Sequence, residues 1–559
     1  MATSWKQKVE KKRSQLRSKI SKQWLLDDIT LEKLKSEKQR LNENLDLLCS
    51  NSENEITNST ILILRHKLST RELTCVEITE AFCHRAALCH QVVNCLSEVM
   101  FEQALNSAKL LDDNRPEILP PLYGIPVSLK DQCNVEGIDT TMGYLGRAFS
   151  PKTRDEESYI VQLLRDQGAI LYVKTTVPSS MMATDTVSNI FGATLNGLNQ
   201  MFSPGGSSGG EGALIACRGS LLGLGTDIGG SIRIPSSYHG LYGLKPTHGR
   251  VPYLRVDNSF EGRELIPSVI GPLAKDLTDL RYFMSVIVNI CKPWQEDVKC
   301  VPYHFDFKEH QLSRHYTVGF WFGDGVVTPP PSDIRALKIC QDIVQRTPGF
   351  KAVKWQPPIE LNKELHDIAM EVDIADAGVE IRQEFAASGE PMIDILRPMV
   401  LEQCHLPCSI NHWWKLNKRA YDAKTAYRKY YNSFGADERP DIIITPLTLT
   451  PFRPGDMLKT TLRYVLFVNV LNFPSLSIPI TAIDSKIDHL MDTTQAKCAE
   501  DEMVMRYWNE LISSGDMDGF PVSLQAMSPT YDDDLVCKFG TWLTTELIRH
   551  HAQEVSNEI

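Results

Sequence analysis

Residues 203–213 read Ser203-Pro204-Gly205-Gly206-Ser207-Ser208-Gly209-Gly210-Glu211-Gly212-Ala213. After a short apolar helix, residues 222–235 read Leu222-Gly223-Leu224-Gly225-Thr226-Asp227-Ile228-Gly229-Gly230-Ser231-Ile232-Arg233-Ile234-Pro235. Glycine comes in two bursts, each ending near a serine, and the pattern predicts two loops that expose backbone amides and hydroxyls. Acyl transfer develops negative charge on a carbonyl oxygen. Backbone N–H groups aimed in advance at that oxygen stabilise it, and one such donor is worth about 3 kcal/mol of barrier. Consecutive amides converge on one oxygen only where side chains are small. The amides of Ile228, Gly229, Gly230 and Ser231 form such a set, with Ser231 beside it as nucleophile.

Two other readings of the glycines compete with this one. The phosphate-loop pattern Gly-x-x-x-x-Gly-Lys-Ser/Thr is absent, and Gly223-Leu224-Gly225 lacks the third glycine of a dinucleotide fingerprint, so no nucleotide cofactor is expected. Gly206-Ser207-Ser208-Gly209-Gly210 also matches Gly-x-Ser-x-Gly, which would make Ser208 the nucleophile of an α/β-hydrolase esterase. That arrangement needs a strand running into the serine, then an acid and a histidine. Asn196 to Pro204 is polar and turn-like, and His239 and His248 follow closely, leaving little room for an acid on its own strand.

A serine nucleophile needs a base within hydrogen-bond reach. Gly124-Ile125-Pro126-Val127-Ser128-Leu129-Lys130 reads as a strand entering a polar loop, with Lys130 at its end in an apolar context. Burial disfavours an ammonium ion, so a desolvated lysine is able to accept a proton.

With Lys130 added to the glycine–serine segment, the chain closely resembles the amidase signature family of serine hydrolases. Gly205 to Ser236 follows that family's long motif, Ser128-Leu129-Lys130-Asp131 matches its lysine loop, and Gly519-Phe520-Pro521-Val522-Ser523-Leu524-Gln525 matches a late strand. Gly209 to Ala213 and Gly229 to Arg233 look most like the fungal acetamidase and general amidase branch, with the fatty acid amide hydrolases as relatives. The resemblance implies hydrolysis of carboxylic amides through an acyl-serine. Ser231 attacks, Ser207, held in a cis peptide, relays the proton, and Lys130 is the base. It further implies that Met181 lines the substrate site, that Asp227 and Arg233 brace the loops, and that no cofactor or metal is needed. Small aliphatic or aryl amides are favoured as substrates, fatty acid amides are allowed, and a homodimer is allowed as the assembly. A catalytically idle scaffold is the reading that the joint presence of Lys130, Ser207 and Ser231 opposes.

Outside these motifs, helices alternate with short apolar strands from about residue 70. Thr74 to Ala87 reads as a helix; Ala169 to Val173, Val318 to Phe322, Ile442 to Thr445, Leu476 to Ile480 and Val522 to Gln525 read as strands. Such alternation predicts an α/β protein: one large domain with a wide mixed central sheet covered by helices on both faces. The expected division is a charged helical segment over 1–69 packing on the core, an amidase domain over 70–549 with a peripheral helical layer at about 285–440, and a tail over 550–559. Trp5, Val9, Leu16, Ile20 and Trp24 fall at helical spacing, and residues 1–23 carry eight Lys or Arg against Glu10 alone. A docking helix, a membrane-surface helix and a presequence all fit that pattern; docking is the expectation taken forward.

The chain of 559 residues carries 59 Lys and Arg against 70 Asp and Glu, a formal charge of −11, which argues against a nucleic-acid partner. Fourteen unpatterned cysteines fit a reducing compartment. Cys404, His405 and Cys408 lack a second pair at zinc spacing. No apolar run approaches the ~20 residues of a membrane span. A soluble cytoplasmic enzyme without stable membrane insertion is expected. The region around 390–430, with Trp413 and Trp414 among Lys415, Lys418, Arg419 and Lys424, reads as an ordinary amphipathic helix.

Overall fold

The computed structural model describes residues 4–37, 41–307, 315–397, 400, 406–456 and 462–558. Its thirteen strands are β1 (Leu96–Val99), β2 (Pro126–Lys130), β3 (Ile170–Thr175), β4 (Val187–Ser188), β5 (Gly192–Ala193), β6 (Leu222–Asp227), β7 (Tyr242–Lys245), β8 (Val269–Ala274), β9 (Tyr316–Phe320), β10 (Phe350–Lys354), β11 (Ile442–Pro446), β12 (Ser475–Ala482) and β13 (Pro521–Met527). Eleven of them form one sheet in the order β1-β3-β2-β6-β8-β7-β12-β13-β11-β9-β10, and β4 and β5 pair separately. Strands β3, β2 and β6 run parallel, as do β11, β9 and β10, while the strands between these groups are antiparallel. The sheet is therefore mixed. Strands β2, β3, β6, β8, β9 and β11 are buried at every position. Successive strand residues point to opposite faces, so complete burial requires cover on both. The α/β class with a wide, two-sided sheet is as expected.

Helix Cys75–Val93 starts where Thr74 caps it, with Glu77 closing a reciprocal capping box, and it runs beyond Ala87. In the N-terminal segment, helix Trp5–Ser18 turns Val9 and Leu16 inward; Leu16, Ile20 and Trp24 join the main core, and Val9 packs with Leu145, Ile190 and Phe191. Lys12 is buried between Glu98 and Asp139. The apolar stripe of this segment is thus covered by the body of the protein. In helix Ile410–Asn432, Leu416, Ala420, Ala423, Tyr427 and Tyr431 face inward, while Ile410, Trp414 and Tyr421 stand exposed, so its outer face is less polar than expected.

Three expectations differ from the structure. Leu222 to Asp227 is not loop but β6, near the centre of the sheet between β2 and β8. Its glycines allow close packing: a Cβ on Gly225 would lie 2.6 Å from Leu273 Cδ1 and 2.9 Å from Ser208 Oγ. Residues 285–440 are not only a helical layer, since they supply β9 and β10 at one end of the sheet. Residues 550–558, expected as a tail, continue helix Asp533–Glu558. Cys404 and His405 lie outside the described residues.

Candidate active site

Strand pairing builds the site. β2 pairs with β6 so that Leu129 lies opposite Leu224, which carries Lys130 at the end of β2 alongside Thr226 near the end of β6. Lys130 Nζ lies 2.7 Å from Ser207 Oγ and 2.7 Å from Thr226 Oγ1. The peptide bond between Gly206 and Ser207 is cis. The N–H of Ser208 donates to the carbonyl of Ser231 at 3.2 Å and ties the two serine loops together. Exposure rises along the series, from 0% for Lys130 to 2% for Ser207 and 8% for Ser231, which places the lysine deepest and Ser231 nearest solvent.

Burial dominates the electrostatics of the lysine. It lowers the Lys130 ammonium from its usual value near 10.5 to about 7, against the pull of Asp227, Cys133 and Glu211 toward the charged form. Glu211 is itself wholly buried, accepting from Ser128 Oγ at 2.5 Å and Thr175 Oγ1 at 2.8 Å, and burial pushes its carboxyl up to about 7.

The glycine loop after β6 is held by a buried ion pair. Burial alone would raise the Asp227 carboxyl, but Arg233 and Asn469 hold it well below the usual carboxylate range. Arg233 Nε and an Nη each meet Asp227 at 3.0 Å, and the same guanidinium donates to Gln525 Oε1 at 2.9 Å and Asn469 Oδ1 at 2.7 Å. These two residues brace the loop as expected. Asp227 Oδ1 also accepts the N–H of Gly230 at 2.8 Å. This changes one expectation: the Gly230 amide, counted among the oxyanion donors, is engaged with Asp227 and shapes the loop. Gly230 has φ +102°, and a Cβ there would lie 2.8 Å from Val465 Cγ2, so the position requires glycine. Among the described residues, no protein acceptor takes the N–H of Ile228, Gly229 or Ser231. Met181 has φ +61° and packs in an apolar cluster with Met142, Tyr144, Ile381 and Phe385.

The elbow arrangement around Ser208 is not built. Ser208 is fully buried, and its Oγ faces the Thr226 backbone at 3.4 Å. His239 has both ring nitrogens occupied, Nδ1 against the Pro235 carbonyl at 2.8 Å and Nε2 by the Gly197 N–H at 3.1 Å. Burial lowers it to about 4, so it is neutral and has no free nitrogen for a serine. Elsewhere, Cys49, Glu53 and His84 bring ligand atoms within 4.8 Å of one another. Glu53 there caps a helix and pairs with His84, and the Arg85 guanidinium lies 3.8 Å from the Cys49 sulfur, which disfavours a cation.

Sequence reasoning missed Thr226 and Gln132, which complete the surroundings of Lys130. Thr226 lies within the glycine-rich run and carries no signal of its own. Gln132 falls two positions after the lysine in a polar loop, where glutamine is ordinary.

The structure thus brings together a buried lysine bonded to a serine, and that serine's loop is tied to a second serine whose flanking amides have no protein acceptor among the described residues. A protein-family model described as Amidase matches residues 77–537, and the chain belongs to the amidase signature family. It is 65% identical to a "Probable amidase" of Saccharomyces cerevisiae over 545 residues, 98% of this chain and 99% of the relative. It is 33% identical to an "Acetamidase" of Emericella nidulans, covering 91% of this chain and 93% of that one. Among solved structures, a "Fatty acid amide hydrolase" superimposes with a TM-score of 0.88 at 28% identity, covering 97% of this chain and 95% of the other. No helix among the described residues is long and apolar enough to cross a membrane.

Proposed function

We propose that the chain hydrolyses small aliphatic or aryl carboxylic amides to the acid and ammonia or an amine, through an acyl-ester on Ser231. Neutral Lys130 takes a proton from Ser207 as Ser207 takes one from Ser231 Oγ. The alkoxide attacks the amide carbonyl, and the N–H groups of Ile228, Gly229 and Ser231 receive the oxyanion. The proton returns through Ser207 to the leaving nitrogen, and water then repeats the cycle on the ester. The 2.7 Å contact between buried Lys130 and Ser207 carries this reading. The acetamidase relative supports a small acyl group, and the apolar cluster around Met181 suits an aliphatic or aryl part. The free thiols among the described residues support action in a reducing, cytoplasmic compartment.

Treatment with an alkyl fluorophosphonate followed by peptide mass spectrometry is expected to find the adduct on Ser231. An adduct on Ser208 would overturn the mechanism, and no adduct would favour an idle scaffold. The labelling rate is also expected to rise tenfold per pH unit below about 7 and to level above it, because Lys130 must be neutral and is lowered to about 7. Glu211 titrates in the same window, so the step belongs to the pair. A flat profile from pH 5 to 9 would remove the lysine base.

A further inference from the structure

The hydrogen bonds around Lys130 have a direction, and one residue outside the triad sets it. Gln132 is fully buried. Its Nε2 donates to the Asp257 carbonyl at 2.8 Å and to the Tyr253 hydroxyl at 2.8 Å. Because a carbonyl only accepts, the amide has a single orientation, and Oε1 is the atom turned toward Thr226. The Tyr253 hydroxyl in turn donates onward to Ser268 Oγ at 3.1 Å, consistent with accepting from Gln132.

Thr226 Oγ1 lies 2.6 Å from Gln132 Oε1. An amide oxygen cannot donate, so the one hydroxyl proton of Thr226 is committed to it. Toward Lys130 Nζ, at 2.7 Å, Thr226 is then able only to accept. A neutral amine has two N–H groups and one lone pair. With an N–H given to Thr226, the lone pair remains for Ser207 Oγ, also at 2.7 Å. Were the hydroxyl of Thr226 free to turn, it would donate to the same lone pair and compete with Ser207.

We propose that Gln132 is a positioning residue that fixes the polarity of this chain and so keeps the lone pair of Lys130 aimed at Ser207. The proposal rests on Lys130 being the base. It has a quantitative signature. Suppose loss of the Gln132 acceptor lets a fraction of neutral lysine adopt the state bonded from Thr226. That state is unproductive, which lowers the alkaline plateau, and it stabilises the neutral form, which moves the acid limb to lower pH. Both changes come from one equilibrium, so they match: a tenfold lower plateau accompanies a limb displaced by one unit, and rates on the acid side coincide with those of the unaltered protein. Asp227, Cys133 and Glu211, the groups whose charges act on Lys130, stay in place in both proteins.

The test is the pH profile of Ser231 labelling by an alkyl fluorophosphonate for Gln132→Met, alone and with Thr226→Val, each checked for native thermal unfolding. Gln132→Met is expected to lower the plateau about tenfold and shift the limb down about one unit. In the Thr226→Val background, with no hydroxyl left to turn, the same change is expected to alter the rate less than twofold. A plateau within twofold of the unaltered protein, or a loss without a limb shift, overturns the proposal; so does a loss that persists in the Thr226→Val background. If Gln132→Met does not fold, Gln132→Glu decides. Ionised, or protonated toward the Asp257 carbonyl, the carboxyl keeps an oxygen that accepts from Thr226, so the plateau is expected to stay within about threefold with no downward shift of the limb; a tenfold lower plateau with a downward shift overturns the proposal. Lys130→Ala, run in parallel, separates the two levels. Full labelling without the lysine defeats the catalytic reading itself, whereas a lysine-dependent rate with a silent Gln132→Met defeats only the positioning role.

Discussion

Under the proposed mechanism, Lys130→Ala is expected to lower amide turnover by about four orders of magnitude and to slow fluorophosphonate labelling of Ser231 to a similar degree. General-base catalysis alone contributes about 10²–10⁴-fold. In the proposed mechanism the lysine is also the end of the proton chain that activates the nucleophile, and removing one member of such a unit costs most of its effect. Alanine takes Nζ away from the hydroxyls of Ser207 and Thr226, and no other titratable nitrogen among the described residues stands against Ser207 Oγ. The cavity left by the buried lysine stem is expected to cost a few kcal/mol, so thermal unfolding is used to check that the variant is native at the assay temperature. A loss below tenfold in a folded variant would show that the base lies elsewhere. An esterase working from Ser208 would barely respond to the change.

The second large effect is on stability. Arg233→Met is expected to destabilise the protein by about 3–5 kcal/mol, because it strands the Asp227 carboxylate in the interior. Both members of the pair are fully buried, and the guanidinium also satisfies Gln525 and Asn469. Methionine fills much of the volume but donates nothing. Activity should fall as well, since the Asp227 carboxylate that holds the Gly230 N–H loses its partner and the glycine loop loses its brace. The shift of the urea midpoint, read with an unchanged slope, measures the stability loss. A loss under about 1 kcal/mol would mean that the carboxylate is protonated or hydrated without its arginine, and that the ion pair is not what braces the glycine loop.

The sheet is legible where strands are rich in β-branched and other apolar residues. For Ile442 to Pro446, Ile170 to Thr175 and Ser475 to Ala482, the expected bounds fall within a residue or two of the observed ones. β10 is not legible, because it is a short strand at the end of the sheet that mixes partly buried residues with the exposed lysines Lys351 and Lys354 and lacks an alternating pattern. β8 hides behind Gly271 and Pro272, which normally argue against a central strand. β6 reads as loop because glycines at 223 and 225 make it look like a turn. They are there because the side chains of Glu211 and Ser208 come against the strand at those points.

The sequence by itself determined the family, through two serines in glycine-rich settings and a lysine closing an apolar strand. Motif residues are legible because their types and spacing are local. Only the tertiary structure decided how far Lys130 is buried, and hence that its ammonium is lowered to about 7, because desolvation depends on everything packed around it. The tertiary structure also committed the Gly230 amide to Asp227, closed both ring nitrogens of His239, and joined Lys130, Thr226, Gln132 and Asp257 into one directed chain. Those contacts link positions as far as 125 residues apart in sequence. The chain at Lys130 forms because the register of β2 against β6 brings their ends together, and no local pattern of residues encodes that register.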